Sequence, residues 1–485
     1  MKKTFITVLI VIQAAIVYSQ IKNPGFELKS DTNANVPQYW NVIQWGGYAV
    51  SLDHHQKFEN ETAITIGNDS PNSNAVGQFF QEVDIKPTHL KKFIITAYIK
   101  TEYLNGSATL WCKVNDSNKK MISYQNMDLR NLDVKGTVDW KQYHFVFFAD
   151  SSARQLVVGG LLYGTGHVWY DKFNLEDAPP ANDPPSGDAK KYIEVFTETV
   201  KKYSIYSDMI NWLALNRDID ELSKGAQTFE DAQLVTNYIL SKLRALGDNH
   251  SFIMSKIRAV KYASQNTVTD KAYSKLLTNN YGYLYIPGFG STNDTASVNF
   301  ASNIQTMIRQ LDIGHTIKGW IVDLRGNSGG NMRPMIAGLG PLLGNDSLGY
   351  FISKQSNGNK SDAWYYKNGA VSGAIIVKTP YVLKNPNTKI VVLIGPKTAS
   401  SGEITAISFI GKPNVKLIGQ PTGGLTTGNR DFKLSDGSVL LLASSYEADR
   451  NKKKYLGKIQ PDILVDTKTG TDADLDAAIA WLNAI

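Results

Sequence analysis

The pattern of apolar and polar positions changes rhythm along the chain. Between Ile21 and Glu176, short stretches alternate or are rich in β-branched and aromatic residues: Gly47–Leu52, Thr62–Ile66, Val76–Val83, Lys92–Thr101, Ala108–Val114, Gln142–Phe148, Gln155–Leu162 and Gly166–Phe173. Turn residues such as Asn68-Asp69-Ser70-Pro71 and Asn105-Gly106 separate them. Many short strands with frequent turns predict an all-β sandwich over 21–176. The rhythm then becomes helical. Tyr192–Tyr203, Ile205–Leu215 and Phe229–Leu246 carry apolar residues at helical spacing, and Thr228 with Glu230 and Asp231 marks a helix start. A small helical bundle is expected over 192–256. From Tyr281 the rhythm changes again. Tyr281–Ile286, Ile317–Leu324, Ile390–Ile394 and Val415–Ile418 are short runs rich in Ile and Val, with helical stretches near 296–311, 332–343 and 402–411 between them. Strands alternating with helices predict an α/β core over 257–485, its sheet largely parallel.

The break between these regions is Asp177–Lys191, which holds the proline pairs Pro179-Pro180 and Pro184-Pro185 among Gly, Ser and Asp. It reads as a stiff, exposed linker between domains. Residues 1–20 open with Lys2 and Lys3, continue as an apolar run from Phe5 to Val17 and reach a small residue at Ser19. That is the layout of a secretory signal peptide, so export is expected, to the periplasm, the cell surface or the medium. No later stretch is apolar for long enough to span a membrane. The formal charge of +7 falls to +5 without Lys2 and Lys3, too weak over 485 residues to imply nucleic acid. The single cysteine, Cys112, excludes an internal disulfide framework and a cysteine-based zinc or iron–sulfur site. No metal or cofactor is called for. His54-His55 reads as a surface pair.

Two strand-to-helix turns carry the candidate chemistry. Asp323-Leu324-Arg325-Gly326-Asn327-Ser328-Gly329-Gly330 follows the strand Gly319–Val322. Its glycines let backbone N–H groups approach a ligand, which suits an anion or an oxyanion, although a tight turn also needs glycine for geometry alone. It lacks the Lys-Ser/Thr ending of a phosphate-binding loop. The second turn, Lys397-Thr398-Ala399-Ser400-Ser401-Gly402-Glu403, joins a strand to an apolar helix. A serine there projects from a sharp bend at a helix N-terminus, as a nucleophile or simply as a helix cap. A serine nucleophile needs a base. The second half of the chain offers His250 and His315, and the residues alone do not choose between them.

Several motifs occur in order: Leu246-Gly247-Asp248-Asn249-His250-Ser251, the strand Tyr281–Phe289, the turn Asp323–Gly330, Thr398–Glu403, Ser435-Asp436-Gly437-Ser438 and Ile459-Gln460-Pro461-Asp462. Together they resemble the tail-specific, or C-terminal-processing, serine peptidase family. The resemblance implies a crotonase-like sheet with helices of the ClpP and tail-protease type, and a peptide or protein substrate. It implies Ser400 as nucleophile, with an oxyanion hole from the backbone of Ser401 and of Gly329 or Gly330. The processing branch places a lysine where this chain has Leu425. The branch similar to tricorn protease and the interphotoreceptor retinoid-binding protein takes a histidine from an Asp-x-His-Ser/Thr motif, which Asp248–Ser251 fits. His250 is therefore the implied general base. The candidate acidic partners are Glu447 and Glu403. Asp449 is a further nearby acid, and Asp462 matches a family position. A PDZ-type module is not expected, because the gap from Ile257 to Asn279 is too short. Ser435–Leu442 is expected to offer an edge for an extended peptide.

The opening Asn23-Pro24-Gly25-Phe26-Glu27, with Pro37, Tyr39 and Trp40, and the closing Trp169–Phe173 resemble jelly-roll, carbohydrate-binding-type modules. That implies a glycan partner if Trp40, Trp45, Trp111, Trp140 or Trp169 is exposed, and core packing if they are buried. The alternative to a peptidase is an exported, inactive protein that binds peptide or glycan.

Overall fold

The computed structural model describes residues 21–70, 75–264, 271–355, 358–466 and 472–484, so the expected signal peptide at 1–20 lies outside the described residues. The chain forms two compact units. One comprises the described residues up to Lys190 together with Leu213–Ser241, and the other Lys191–Trp212 with Lys242–Ile485.

The first unit holds an eight-stranded antiparallel network: β1 (Asn41–Ile43), β2 (Ala49–Asp53), β3 (Ala63–Asn68), β4 (Gly77–Asp84), β5 (Lys91–Asn115), β6 (Met121–Asn126), β7 (Val134–Ala149) and β8 (Gln155–Asp177). The alternation read from the sequence is real. Phe79, Gln81 and Val83 of β4 face inward, as do Phe93, Ile95, Ala97 and Ile99 of β5. β8 is the hub, pairing with β5 along one side and with β4 and then β3 along the other. Phe26, Phe79, Tyr170 and Phe173 are fully buried with their rings in contact, and burial of each such side chain contributes about 1.5–3 kcal/mol. Trp40, Trp111 and Trp169 are buried too, whereas Trp45 is 62% exposed. Cys112 is buried in the same core.

Asn105-Gly106 corrects one expectation. It is an irregularity inside β5, not a turn, and Gly106 faces Gly164 of β8 across a close approach. A Cβ on Gly106 would meet the Tyr163 carbonyl oxygen at 2.0 Å, so glycine is required there.

The helices are α1 (Gly187–Tyr203), α2 (Trp212–Ser223) and α3 (Phe229–Ala245). Ile205–Leu215 is not one helix as expected: a 3-10 turn at Ser207–Met209 and a break precede α2. The sequence span read as a separate bundle, 192–256, is shared between the units. α2 from Leu213 and α3 up to Ser241 join the sandwich, where Phe148 meets Tyr238 edge-on at 5.1 Å. The proline-rich stretch is anchored within the first unit. The amides of Ala178, Gly225 and Ser186 donate to the carbonyls of Lys92, Asp183 and Ala226.

The second unit holds two sheets. β9 (Phe252–Met254) and α4 (Lys256–Ser264) precede β10 (Tyr273–Leu277), β11 (Tyr281–Tyr285), α5 (Asp294–Gly314), β12 (Gly319–Asp323) and α6 (Met332–Leu343). Then come β13 (Asp346–Gln355), β14 (Gly358–Lys367), β15 (Ala370–Val371), β16 (Ala374–Ile375), β17 (Lys389–Ile394), α7 (Ser401–Ile407) and β18 (Val415–Gly419). β19 (Thr427–Lys433), β20 (Val439–Asp449), β21 (Lys454–Tyr455), β22 (Ile463–Leu464) and α8 (Ala473–Asn483) complete it. The first sheet runs β10-β11-β12-β17-β18-β22 and is parallel from β11 onward. α5, α6 and α7 cover one face and α8 the other, which is why its central strands are apolar on both sides. The second sheet, β16-β15-β14-β13-β20-β19, is antiparallel. Here β20 is interior, bonded to β13, β19, β9 and β21, so the free edge expected at Ser435–Leu442 belongs to β19.

Adjacent parallel strands β12 and β17 end side by side. The glycine turn and the serine turn leave from those ends and therefore meet. Ligand sites of parallel sheets form at such carboxyl ends.

Candidate active site

The two turns are stitched together. The Thr398 hydroxyl donates to the Leu324 carbonyl (2.8 Å), the Ala399 amide to the Asn327 carbonyl (3.0 Å) and the Ser401 hydroxyl to the Gly330 carbonyl (2.6 Å). Asn327 is fully buried and organises the glycine turn. Its Oδ1 accepts from the Gly329 amide, and its Nδ2 donates to the carbonyls of Ile286 and Pro287. Gly329 sits at φ +104°, and a Cβ there would lie 2.9 Å from Cβ of Ser400, so this glycine is demanded twice over.

Ser400 adopts φ 53°, ψ −123°, a conformation that costs a non-glycine residue roughly 1–3 kcal/mol. Glu403 offsets that strain. Its carboxylate accepts from the amides of Ser400 (2.8 Å), Leu425 (2.8 Å) and Gly424 (2.9 Å) and from the Thr422 hydroxyl (2.5 Å). The result is a serine hydroxyl held out from the bend at the start of α7.

His250 meets that hydroxyl. Its loop is ordered by Asp248, which accepts from the amides of His250 and Ser251 and from the Ser251 hydroxyl. Nε2 of His250 lies 2.9 Å from Oγ of Ser400. Nδ1 lies 2.9 Å from the Thr427 carbonyl oxygen and 3.0 Å from its Oγ1. A carbonyl only accepts, so the proton belongs on Nδ1 and Nε2 is left as an acceptor for the serine proton. Burial holds the imidazole below the usual histidine range, against weaker opposing effects from the Thr427 hydrogen bond and the Asp248 charge.

The comparisons with known proteins bear on this unit. Residues 280–465 match the model of peptidase family S41. This segment is an S41 peptidase domain. It contains Ser400, both turns and Thr427, while His250 precedes it. The nisin-resistance protein of Lactococcus lactis subsp. lactis is 29% identical over 331 residues, 68% of this chain and 96% of that protein. The carboxy-terminal processing protease CtpA of Bacillus subtilis is 32% identical over 173 residues, 36% of this chain and 32% of CtpA. Among solved structures, a lipoprotein from Streptococcus agalactiae matches at TM-score 0.51 and 26% identity, over 63% of this chain and 97% of that one.

Within the S41 domain some expected roles are reassigned. Neither Glu447 nor Glu403 bonds the imidazole. Glu403 is committed to Ser400 and its neighbours. Glu447 is fully buried, and neither of its carboxyl oxygens has a hydrogen-bond partner among the described residues. Burial, and then the charge of Glu403, push its carboxyl well above the usual range. Asp449 binds Tyr455 and its own turn, and Asp462 the Leu417 amide. His315 caps the end of α5. The Gly329 amide is taken by Asn327, which leaves the amides of Gly330 and Ser401 without a protein acceptor among the described residues. Thr427 and Asn327 were not singled out from the sequence. Asn327 sits visibly inside the glycine turn. Thr427 carries no local signal beyond following Gly423-Gly424-Leu425-Thr426.

Proposed function

We propose that the protein is an exported serine peptidase that cleaves peptide bonds through an acyl-enzyme on Ser400. His250 takes the Ser400 proton as Oγ attacks the carbonyl carbon, then returns it to the leaving amine. Water enters by the same route in reverse and releases the acid. The amides of Gly330 and Ser401 stabilise the oxyanion, each such donor being worth roughly 3–4 kcal/mol. Thr427 holds the tautomer that aspartate holds in other serine peptidases, but contributes no negative charge to the imidazolium. The observation that carries this reading is the chain Thr427 carbonyl, His250, Ser400.

A fluorophosphonate probe applied to the full chain is expected to label it once, and Ser400→Ala to abolish the label. No labelling between neutral and mildly alkaline pH sinks the proposal. The relative named for nisin resistance makes nisin a substrate to try beside linear peptides. Export follows from the 1–20 pattern and is checked by N-terminal sequencing of protein recovered outside the cytoplasm. For the first unit we propose glycan contact at the exposed Trp45. A glycan array probed with the full chain and with Trp45→Ala tests it.

A further inference from the structure

Beyond Thr427, β19 enters a groove of about 630 Å³ lined by residues of β13, β14, β19 and β20 and the end of α1. The groove adjoins the site. Gly428 and Asn429 both line it, and the Asn429 side-chain amide donates to the His250 carbonyl at 3.0 Å. Its floor is tightly packed at residue 428, where only glycine fits. A Cβ there would meet Oγ of Ser445 at 2.3 Å and the Phe351 ring at 2.8 Å.

The charge along the groove is one-sided. Lys202, Lys354, Lys360 and Arg430 line it, against Asp362. Lys354 is paired with Asp208, and Lys360 with Asp362 at 2.8 Å. Lys202 and Arg430 have no acidic partner among the described residues. Aromatic faces hold them instead. The Lys202 ammonium and the Arg430 guanidinium lie 5.1 and 4.7 Å from the centre of the Tyr203 ring, and the guanidinium lies 5.3 Å from that of Phe432. Tyr203 in turn packs on Phe432 at 4.9 Å. A stacked cation keeps its full charge and its N–H donors while its position is fixed, so both are preorganised for an anionic ligand.

We propose that this groove is a substrate subsite for carboxylate, read by Arg430 and Lys202 on a peptide whose neighbouring bond lies at Ser400. A guanidinium accepts a carboxylate in a two-bond fork, which gives direction as well as charge. The carboxylate comes from Asp or Glu side chains or from a free peptide C-terminus. The assignment of the groove to a substrate rests on the peptidase reading above.

Binding separates the two claims. Full-length Ser400→Ala protein is titrated against fluorescein-labelled peptides with paired Asp-Glu or the isosteric Asn-Gln, each as free acid and as C-terminal amide. Hydrolysis of the same peptides is followed with the unaltered chain. At least one carboxylate source is expected to tighten binding about tenfold over its neutral counterpart. Lys202→Gln with Arg430→Gln should bring that ratio close to one. The side-chain and amide arms identify the source. Equal affinity for all four peptides, or a preference that survives the double substitution, overturns the subsite. A carboxylate preference without hydrolysis keeps the subsite and removes the peptidase reading. Hydrolysis without the preference does the reverse. Both substituted side chains are exposed, and thermal melts check that the fold is kept. Raising salt on the chain with both cations intact must also shrink the preference; a salt-independent preference counts against it.

Discussion

The glycine turn and the serine turn do the same topological job and do it by opposite means. Each carries the chain from the end of a parallel strand, β12 or β17, towards a helix. The glycine turn removes side chains so that backbone can be reached, and Gly329 and Gly330 take positive φ at little cost. The serine turn also needs positive φ, at Ser400, but must keep a side chain there. It accepts the strain and holds it with the Glu403 carboxylate. Where the chain offers backbone it selects a residue type. Where it offers a hydroxyl it builds a support.

The sharpest way to break this contrast is Ser400→Ala, which leaves both turns in place and removes the hydroxyl. Peptidase turnover is expected to fall roughly ten-thousand-fold or more, measured on any peptide the unaltered chain cleaves. A loss of less than about tenfold would show that another group carries the reaction. Gly329→Ala attacks the other turn. The new methyl collides with Cβ of Ser400 and takes a φ costing roughly 1–3 kcal/mol, so activity and Tm should both drop. A full-activity Gly329→Ala variant would show that the two turns are not jammed together.

How much of this was legible follows from where the information lies. The alternation of Phe93, Ile95 and Ala97 and the apolar run Ile390–Ile394 are local, and strands appear where they predict them. The serine and histidine were legible through motifs. The threonine behind the imidazole was not, because Thr427 reaches His250 through pairing of β19 in a sheet whose register is a tertiary fact. Glu403 was picked for the wrong task for the same reason: sequence shows an acid after a serine, not which amides it accepts. Helix α2 was misplaced because apolar spacing runs on from Ile205 across a break that polar Ser207 and Asn211 only hint at.

Glu403→Gln tests the support directly. The amide keeps the shape but loses charge and an acceptor, so kcat should fall about ten- to a hundred-fold, the range expected when a supporting hydrogen-bond partner is weakened, while KM moves little. An equal rise in KM alone would mean that Glu403 serves binding. The pH profile tests the histidine. Burial lowers the His250 pKa, so kcat/KM is expected to rise with pH through a midpoint below about 6.5 and stay level through neutrality. A profile still rising above neutral pH would point to another base. The same shift has a stability sign. Folding favours neutral His250, so that contribution is full above the unfolded pKa and is lost as pH falls through the folded one.

The smallest expected effect is at Glu447. Its carboxyl pKa is raised by folding, so stability from this group is full below the ordinary glutamate range and is lost as pH rises from there through the raised folded value. Glu447→Met should therefore raise Tm by a few degrees at neutral pH, with the gain shrinking on acidification. A lowered Tm at neutral pH would mean that the buried acid is held by more than its isolation.

The path of the backbone between the units has a practical consequence for anyone dissecting the gene. The chain passes from one unit to the other after Lys190, after Trp212 and after Ser241. A fragment ending near Glu176 lacks the α2 and α3 residues that complete the first unit, and a fragment starting at the proline-rich stretch carries those helices without their strands. A deletion made at the most obvious boundary in the text of the sequence leaves both products with a missing part. Modular exchange of the sandwich for another would need a split insert, joined at several places rather than one.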